Sequence, residues 1–371
     1  MRFGIFSDIH IHNWTAFSKT TKGGLNSRLV GITNLLRRML SEFEKANVEA
    51  VLFTGDLFHV KKIDIETYDL TARVLKSSKL PIIMIPGNHD EADKMADFHS
   101  LRAMGRKSIH VLDSREGNEF QMGGLRIVGI PYCPNKQDML QSVRSLCKKR
   151  TDILLLHTGF AGATMGFDFI ADQKQFIQPK DLARYDIGLT IAGHFHQPQT
   201  IVDGKVDLVR LDIDRKLKNG TILIPGSPLQ HTFGDEGSGR GYWFYDSKEK
   251  IGKFVLSCMP MFIRFDHIPD DLVELRGNYV CIKLDQQPDP MQLKELVEIL
   301  EENTKGFELH FGMSKKLVDR EKQLPIGIST SPFKALKHFV NAHGPEDLNK
   351  TRLLDMGMKI IAEAESLNTE G

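Results

Sequence analysis

The chain has 371 residues, a formal net charge of +1 and a hydrophobic fraction of 41%. These values are typical of a folded globular protein with a large catalytic domain and one or two smaller additions. They exclude a strongly basic or acidic protein, and no apolar run approaches the roughly 20 residues that a membrane-spanning helix needs.

Cysteine usage and the first residues indicate where the protein works. The four cysteines are widely separated and form no C-x-x-C pair, which argues against a thiolate zinc site and against a disulfide framework. Residues 2–6 read as a strand, with no apolar leader or cleavage site. We therefore expect a reduced, cytoplasmic protein with no membrane partner.

The first part of the chain alternates apolar strands with amphipathic helices. Strands are predicted at residues 2–6, 50–54 and 81–85, and helices at residues 26–46 and 63–77. This alternation indicates a parallel sheet covered on both faces. Right-handed crossovers bring the carboxyl ends of such strands to one edge, where ligands bind.

From about residue 109 the pattern changes to hairpins and short strands. Runs at 120–122 and 125–130 flank Gly123-Gly124 and predict a tight turn. The alternating charges of residues 205–218 predict a solvated hairpin. Further strands are predicted at residues 152–156, 187–192, 200–202, 221–224, 242–245 and 253–257.

Composition changes near Pro260 and suggests three domains. A compact β-β-α-β unit is predicted over residues 262–311, followed by two helices at 332–342 and 346–367 that flank a Gly-Pro break. The predicted domains are a catalytic domain over 1–259, a small α/β capping domain over 260–328 and a helical C-terminal segment over 329–371.

Polar clusters follow five of the predicted strands. In chain order they are Asp8-Ile9-His10, Gly55-Asp56-Leu57-Phe58-His59, Gly87-Asn88-His89-Asp90, His157 and Gly193-His194-Phe195-His196. Singly, each has an ordinary explanation, because a strand-end aspartate is often a helix cap and G-N-H-D can be a β-turn. Five such clusters, each after its own strand, are very hard to explain in that way.

We therefore predict a binuclear metal site at this edge. Carboxylate, amide and imidazole ligands without a thiolate favour manganese, iron or zinc over calcium. Two ions about 3.5–4 Å apart can hold a phosphate and lower the pKa of a bound water toward roughly 7. The predicted ligands are Asp8, His10, Asp56, Asn88, His157, His194 and His196.

The ordered set D-x-H, G-D-x-x-H, G-N-H-D, H and G-H-x-H resembles the calcineurin-like metallophosphoesterase superfamily over roughly the first 245 residues. The resemblance implies an α/β fold, a double β-sandwich flanked by helices. It also implies that His89 is the catalytic histidine, which protonates the leaving oxygen or stabilises the transition state. The implied ligands are Asp8, His10, Asp56 and His196 for one metal and Asp56, Asn88, His157 and His194 for the other, with Asp56 bridging.

His59 points to one branch of the superfamily. Protein phosphatases carry G-D-x-x-D-R-G, whereas here His59 takes the second aspartate's place and Val60-Lys61-Lys62 follows. This motif, with the later Pro225-Gly226-Ser227 segment, is similar to the SbcD and meiotic-recombination nucleases that repair DNA double-strand breaks. In that branch the extra histidine helps to present the DNA phosphate, and we assign this role to His59.

Membership of this branch would imply a metal-dependent DNA exonuclease and endonuclease acting in repair or recombination. Its cofactors would be two divalent ions, with manganese favoured over magnesium, iron or zinc. Its partners would be DNA and an SbcC-type coiled-coil ATPase held by the C-terminal helices, with the nuclease as a homodimer in a heterotetramer. The apolar residues of these helices are equally consistent with packing against their own domain. Such a compact, reduced nuclease suits a bacterium or a bacteriophage-infected cell.

Basic side chains near the predicted cleft are candidate DNA contacts. Each alone is more commonly a solvated surface residue, but together they would give sequence-independent, salt-dependent binding. The candidates are Lys19, Lys22, Arg28, Lys61, Lys62, Lys315 and Lys316.

Two other functions remain open from the sequence. A small-molecule phosphatase or cyclic-nucleotide phosphodiesterase could use the same two metals. A non-catalytic scaffold with the same fold is disfavoured, because every predicted metal position and His89 are present.

Overall fold

The computed structural model describes residues 1–91, 98–105, 108–113, 117–164, 171, 176–209, 211–237, 239–269, 271–286 and 288–311, with positions 340, 354, 356 and 357. The chain forms two compact units, Met1–Met313 and Ser314–Gly371. Lys315, Lys316 and nearly all of the predicted C-terminal helices lie outside the described residues. The predicted domain boundaries therefore stay predictions.

The described elements occur in the following order along the chain. The strands are β1 (Arg2–Phe6), β2 (Ala50–Phe53), β3 (Ile82–Met84), β4 (Ile109–Val111), β5 (Glu119–Met122), β6 (Leu125–Ile130), β7 (Thr151–His157), β8 (Ile187–Gly193), β9 (Gln199–Val202), β10 (Lys205–Leu208), β11 (Ile213–Lys216), β12 (Thr221–Ile224), β13 (Gly241–Asp246), β14 (Ile251–Leu256), β15 (Phe262–Phe265), β16 (Tyr279–Leu284) and β17 (Gly306–Phe311). The helices are α1 (Ser27–Lys45), α2 (Ile65–Ser77), α3 (Lys136–Leu146), α4 (Pro179–Leu182) and α5 (Pro290–Asn303).

Two large sheets form the body of the first unit. Within the described residues, the first sheet has the order β11-β14-β13-β1-β2-β3-β4, and the second has the order β10-β9-β12-β8-β7-β6-β5. In the first, β1 to β4 are parallel. In the second, β6, β7, β8 and β12 are parallel. The carboxyl ends of these strands therefore come together at one edge of each sheet.

The two sheets pack face to face through an apolar core. Ile5 and Leu52 of the first sheet lie in one buried cluster with Leu155, Leu189 and Leu223 of the second. The apolar sides of α1 and α2 cover the outer face of the first sheet, and α3 covers the outer face of the second. These layers confirm the predicted double β-sandwich flanked by helices.

A separate small sheet follows the sandwich within the first unit. Strands β15, β16 and β17 are parallel, and α5 covers one face with a core that includes Leu296 and Leu300. The element order confirms the predicted β-β-α-β arrangement. We call β15 to β17 with α5 the capping sheet. No helix among the described residues is long and apolar enough to cross a membrane.

Two local predictions had different outcomes. The turn at Gly123-Gly124 is confirmed, since β5 and β6 pair across it and both glycines have positive φ, +56° and +80°. The predicted hairpin over residues 205–218 is wrong, because β10 pairs with β9 in the second sheet while β11 pairs with β14 in the first. The segment connects the two sheets instead of folding back on itself.

Candidate metal centre

The centre lies where the carboxyl ends of the central strands of both sheets meet. Asp8, Asp56 and Asn88 follow β1, β2 and β3, while His157 ends β7 and His194 follows β8. Backbone hydrogen bonds join the first two loops, from Asp8 N to Gly55 O at 3.0 Å and from His10 N to Asp56 O at 3.1 Å. The fold thus brings together ligands that are far apart in the sequence.

Several predicted ligands have an unusual backbone conformation. Asp8, His10, Asp56 and His194 have positive φ values of 51°, 46°, 59° and 104°. This left-handed region is sparsely used by non-glycine residues, and each instance costs about 1–3 kcal/mol. Such strain at four of the seven predicted ligands is typical of a site whose loops are held in place for function.

The position before Asn88 requires glycine for a steric reason. A side chain at Gly87 would collide with the Asp56 carboxylate and with the ring of His157. Glycine therefore allows the second and third loops to approach closely enough for these ligands to meet.

One donor set surrounds the side chain of Asn88. Its Oδ1 lies 3.0 Å from His157 Nε2 and 3.1 Å from His194 Nδ1, and His157 Nε2 lies 3.4 Å from Asp56 Oδ2. His157 Nδ1 donates to the carbonyl of Thr54 at 2.6 Å, which turns Nε2 toward these oxygens. The four side chains match the second predicted ligand set.

The other donor set surrounds His10. Its Nε2 lies 3.1 Å from His196 Nε2 and 3.6 Å from Asp56 Oδ2. Ligand atoms of Asp8, His10 and His196 all lie within 4.8 Å of one another. Asp56 Oδ2 therefore faces both sets, as the predicted bridging role requires.

The electrostatics of the centre fit divalent cations. Burial lowers the pKa of His10 well below its ordinary value, and burial with the nearby charge of His157 lowers the pKa of His194 to about 3. Burial alone would raise the pKa of Asp56, but the charges of His157 and His10 hold it below its ordinary value. These groups are therefore in the deprotonated forms that bind metals.

His157 shows where positive charge is needed. Burial lowers the pKa of His157, but attraction to Asp56 outweighs it and raises the pKa to about 10. A cation between these atoms would replace that proton. Among the residues that the structure describes, none is a hydrogen-bond partner of the buried Nδ1 of His10. When bound, two divalent ions would lower the pKa of a coordinated water and neutralise phosphate oxygens.

The two predicted catalytic histidines lie beside the donor sets. The His89 N–H donates to Asp56 Oδ1 at 2.9 Å, and its ring Nδ1 donates to the His59 carbonyl at 2.6 Å. Because that carbonyl only accepts, Nδ1 keeps its proton and Nε2 is the atom that can exchange one. The His59 ring stacks on His89 with centroids 5.3 Å apart and planes 16° apart.

Asp90 organises the centre, a role that was not predicted from the sequence. Its buried carboxylate accepts hydrogen bonds from the N–H groups of Asp56 at 2.8 Å, Leu57 at 3.1 Å, Phe58 at 3.2 Å and Gly87 at 3.0 Å. It joins the second and third ligand loops. Its place at the end of G-N-H-D was the available signal.

Residues far along the chain also reach the centre. His231 Nε2 lies 3.3 Å from the carbonyl of Asp8, and Asp235 Oδ1 lies 3.1 Å from His196 Nδ1. Neither belongs to a local ligand motif, so spacing could not identify them. The sequence offered one hint of their role, the acidic pair Asp235-Glu236 that follows the Pro225-Gly226-Ser227 segment.

Four of the candidate DNA contacts are exposed on the loops that carry the centre. Lys19 and Lys22 lie on the loop after β1, and Lys61 and Lys62 lie on the loop after β2. Their surroundings leave them accessible to a phosphate backbone.

The structure corrects the prediction that Arg28 contacts DNA. Its side chain is buried, with the guanidinium 5.1 Å from the Trp14 ring centroid and 5.3 Å from that of Tyr279. It donates to the carbonyls of Ala16 and His231. A guanidinium held in this way is not available to DNA, so its assignment as a DNA contact was wrong.

Comparison with known proteins identifies the family. The profile of the calcineurin-like phosphoesterase family matches residues 1–198, which include every predicted metal ligand. The chain belongs to the calcineurin-like phosphoesterase family. This family uses a binuclear metal site for phosphoester hydrolysis, in keeping with the two donor sets that share Asp56.

Individual relatives match over shorter stretches. The chain is 28% identical over 121 residues to the DNA double-strand break repair protein Mre11 of Sulfurisphaera tokodaii, covering 31% of each chain. It is 26% identical over 132 residues to a probable cyclic nucleotide phosphodiesterase of Fibrobacter succinogenes, covering 32% of this chain and 46% of that protein. The matches thus span less than half of either relative.

Among solved structures, a dimetal phosphatase from Danio rerio aligns with 66% of this chain and 91% of its own, at 11% identity and a TM-score of 0.39.

The shared position of Asp56 gives a direct prediction. Asp56→Ala should lose both ions, because Asp56 Oδ2 faces both donor sets, whereas His194→Ala should lose one. Metal analysis of each variant after desalting measures this. Asp186→Ala is the control, since Asp186 is exposed and pairs with Arg150. Retention of two ions by Asp56→Ala would contradict the bridging role.

Proposed function

We propose that this family member is a metal-dependent DNA nuclease that hydrolyses phosphodiester bonds with two divalent ions, manganese being the ion we expect. His59 is the observation that carries the proposal. One of its ring nitrogens lies within 4.8 Å of ligand atoms of His10 and His89, at a position where protein phosphatases carry an aspartate. An imidazole can donate to a phosphodiester oxygen, whereas a carboxylate would repel it.

The charged groups around the centre also favour a diester. A phosphomonoester dianion calls for more fixed positive charge than a singly charged phosphodiester. Arg240 lies behind His196 and donates to Asp235, while Arg28 donates to the carbonyl of His231. These two guanidinium groups are directed at protein groups instead of the cleft.

The likeness to Mre11 supports DNA as the substrate. The exposed lysines Lys19, Lys22, Lys61 and Lys62 would hold the phosphate backbone without reading sequence. We further propose that the capping domain guides DNA to the centre. The C-terminal segment would bind an SbcC-type ATPase in a heterotetramer with two nuclease subunits, acting in repair or recombination.

The histidines beside the donor sets would carry out the proton transfer. Hydrolysis adds water to phosphorus and breaks the bond to the leaving sugar oxygen, which then needs a proton. His89 holds its Nδ1 proton against the His59 carbonyl, so its Nε2 can deliver a second proton to that oxygen. His59 would orient a non-bridging phosphate oxygen through a ring N–H.

A cyclic-nucleotide phosphodiesterase, or another small-molecule phosphatase, is the second candidate. The Fibrobacter succinogenes relative favours it. The same donor sets and His89 would serve that reaction, so the two candidates differ in the substrate and not in the centre.

The substrate test is digestion of end-labelled duplex and single-stranded DNA with manganese, with and without an SbcC-type ATPase. We expect shortened DNA products that disappear when the metal is chelated, and faster digestion of duplex with the ATPase. Cyclic nucleotides and a chromogenic phosphodiester are tested in parallel. Turnover of these alone, with DNA intact at every length, would favour the second candidate.

His89 should be needed for hydrolysis but not for metal binding. His89→Ala should bind two manganese ions and lose roughly 100- to 10,000-fold in DNA hydrolysis, the usual contribution of a general acid. His110→Ala is the control, because His110 lies on β4 away from the ligand loops. Hydrolysis by His89→Ala at the wild-type rate would exclude its proposed role.

The lysines after β2 should account for part of the salt dependence. A Lys61→Ala/Lys62→Ala variant should bind duplex DNA several-fold more weakly, with a log K against log salt slope shallower by about 2. The matched control is Lys148→Ala/Lys149→Ala, a pair of exposed lysines before the amino end of β7. An equal effect in both variants would mean that Lys61 and Lys62 make no specific contact.

A further inference from the structure

A short turn connects the capping sheet to the first donor set. The turn, Phe233–Asp235, places the Asp235 side chain behind His196, where it is 12% exposed. Asp235 Oδ1 accepts from His196 Nδ1 at 3.1 Å and from Arg240 at 3.0 Å. Its Oδ2 accepts from the His231 N–H at 2.9 Å. Both oxygens are therefore engaged by donors.

This arrangement determines which nitrogen of His196 can bind a cation. Because a carboxylate oxygen accepts at Nδ1, the proton stays on Nδ1 and the lone pair is on Nε2. That Nε2 is the atom 3.1 Å from His10 Nε2 within the first donor set. A carboxylate behind a histidine ligand fixes both its tautomer and its ring orientation.

We propose that Asp235 is a positioning residue that holds His196 in its metal-binding tautomer and so retains the ion of the first donor set. This inference deepens the proposed function and rests on one part of it, the binding of two metal ions at the centre. It does not depend on DNA as the substrate.

The capping sheet holds this turn in place. The guanidinium of Arg264, on β15, donates to the Phe233 carbonyl at 2.9 Å and to Glu236 at 2.7 Å. The Phe233 ring packs edge-on against Phe262 of the same strand, with centroids 5.1 Å apart. The capping sheet would therefore contribute to metal retention as well as to substrate access.

The first test is Asp235→Asn. An asparagine amide has one accepting oxygen, so its NH2 group would face one of the donors that the carboxylate now satisfies. We expect one of two manganese ions to bind about 10- to 100-fold more weakly, as for other partners behind metal ligands. The second ion should be unaffected. Calorimetric titration of the metal-free protein and manganese EPR measure both ions.

Controls separate positioning from folding. Asp186→Asn makes the same chemical change at an exposed residue and should bind both ions as wild type. Metal-free Asp235→Asn should lose some stability, because buried Arg240 keeps only part of its partner, but it should still unfold in one cooperative transition. Adding Asp235→Asn to His196→Ala should weaken metal binding no further, since both changes act on one ligand.

The capping-sheet contribution is tested separately with Arg264→Met against Arg276→Met. Arg264 lies on β15 and contacts the turn. Arg276 lies between β15 and β16, is exposed and does not belong to the turn. Arg264→Met should weaken the same single ion, and Arg276→Met should not.

Two results would overturn the inference. One is wild-type affinity for both ions in Asp235→Asn. The other is equal loss of both ions with a large fall in melting temperature, which would indicate a structural role alone. Wild-type protein that binds two ions but cleaves no DNA would refute the proposed function and leave this inference intact.

Discussion

The carboxylate of Asp56 is the interaction on which the centre depends. One oxygen accepts the His89 N–H and the other faces His10 on one side and His157 on the other. The position of Asp56 is fixed because its backbone N–H donates to the Asp90 carboxylate. A single buried anion thus links the two sheets, both donor sets and His89.

The surrounding sandwich makes this concentration of polar groups possible. Buried carboxylates and imidazoles are costly unless they are paired or bind a metal. Asp8 accepts the His194 N–H at 3.0 Å, and Asp90 accepts N–H groups from two loops. These bonds help to offset the strain of positive φ at the ligands. These protein groups hold the ligand loops, and bound ions would add charge neutralisation to them.

The sequence was informative where ligands and strands are neighbours along the chain. Each predicted ligand follows or ends an apolar strand, so a pattern a few residues long predicted all seven, and the fold brings them to one sheet edge. Contacts between distant segments were not predictable, as with Asp235 behind His196. The prediction of a DNA contact from charge alone was wrong in one case. Arg28 looked like a DNA contact because a sequence does not show that Trp14 and Tyr279 enclose its guanidinium. The hairpin predicted over residues 205–218 was wrong because the sequence does not show that β10 pairs with β9 and β11 with β14.

Substrate choice in this centre must come from residues that bind no metal. The donor sets are equally suited to a nuclease and to a cyclic-nucleotide phosphodiesterase, and relatives of both kinds match this chain. The rim of the centre carries His59, where protein phosphatases carry an aspartate, and Lys61 and Lys62 follow it on an exposed loop. A long polyanion can contact such a rim over many phosphates at once, whereas a cyclic nucleotide reaches only the centre. The capping sheet is anchored through Arg264 to the turn that carries Asp235, behind the first donor set. The side chains that distinguish the two substrates would therefore be those that extend the site beyond its metal ligands.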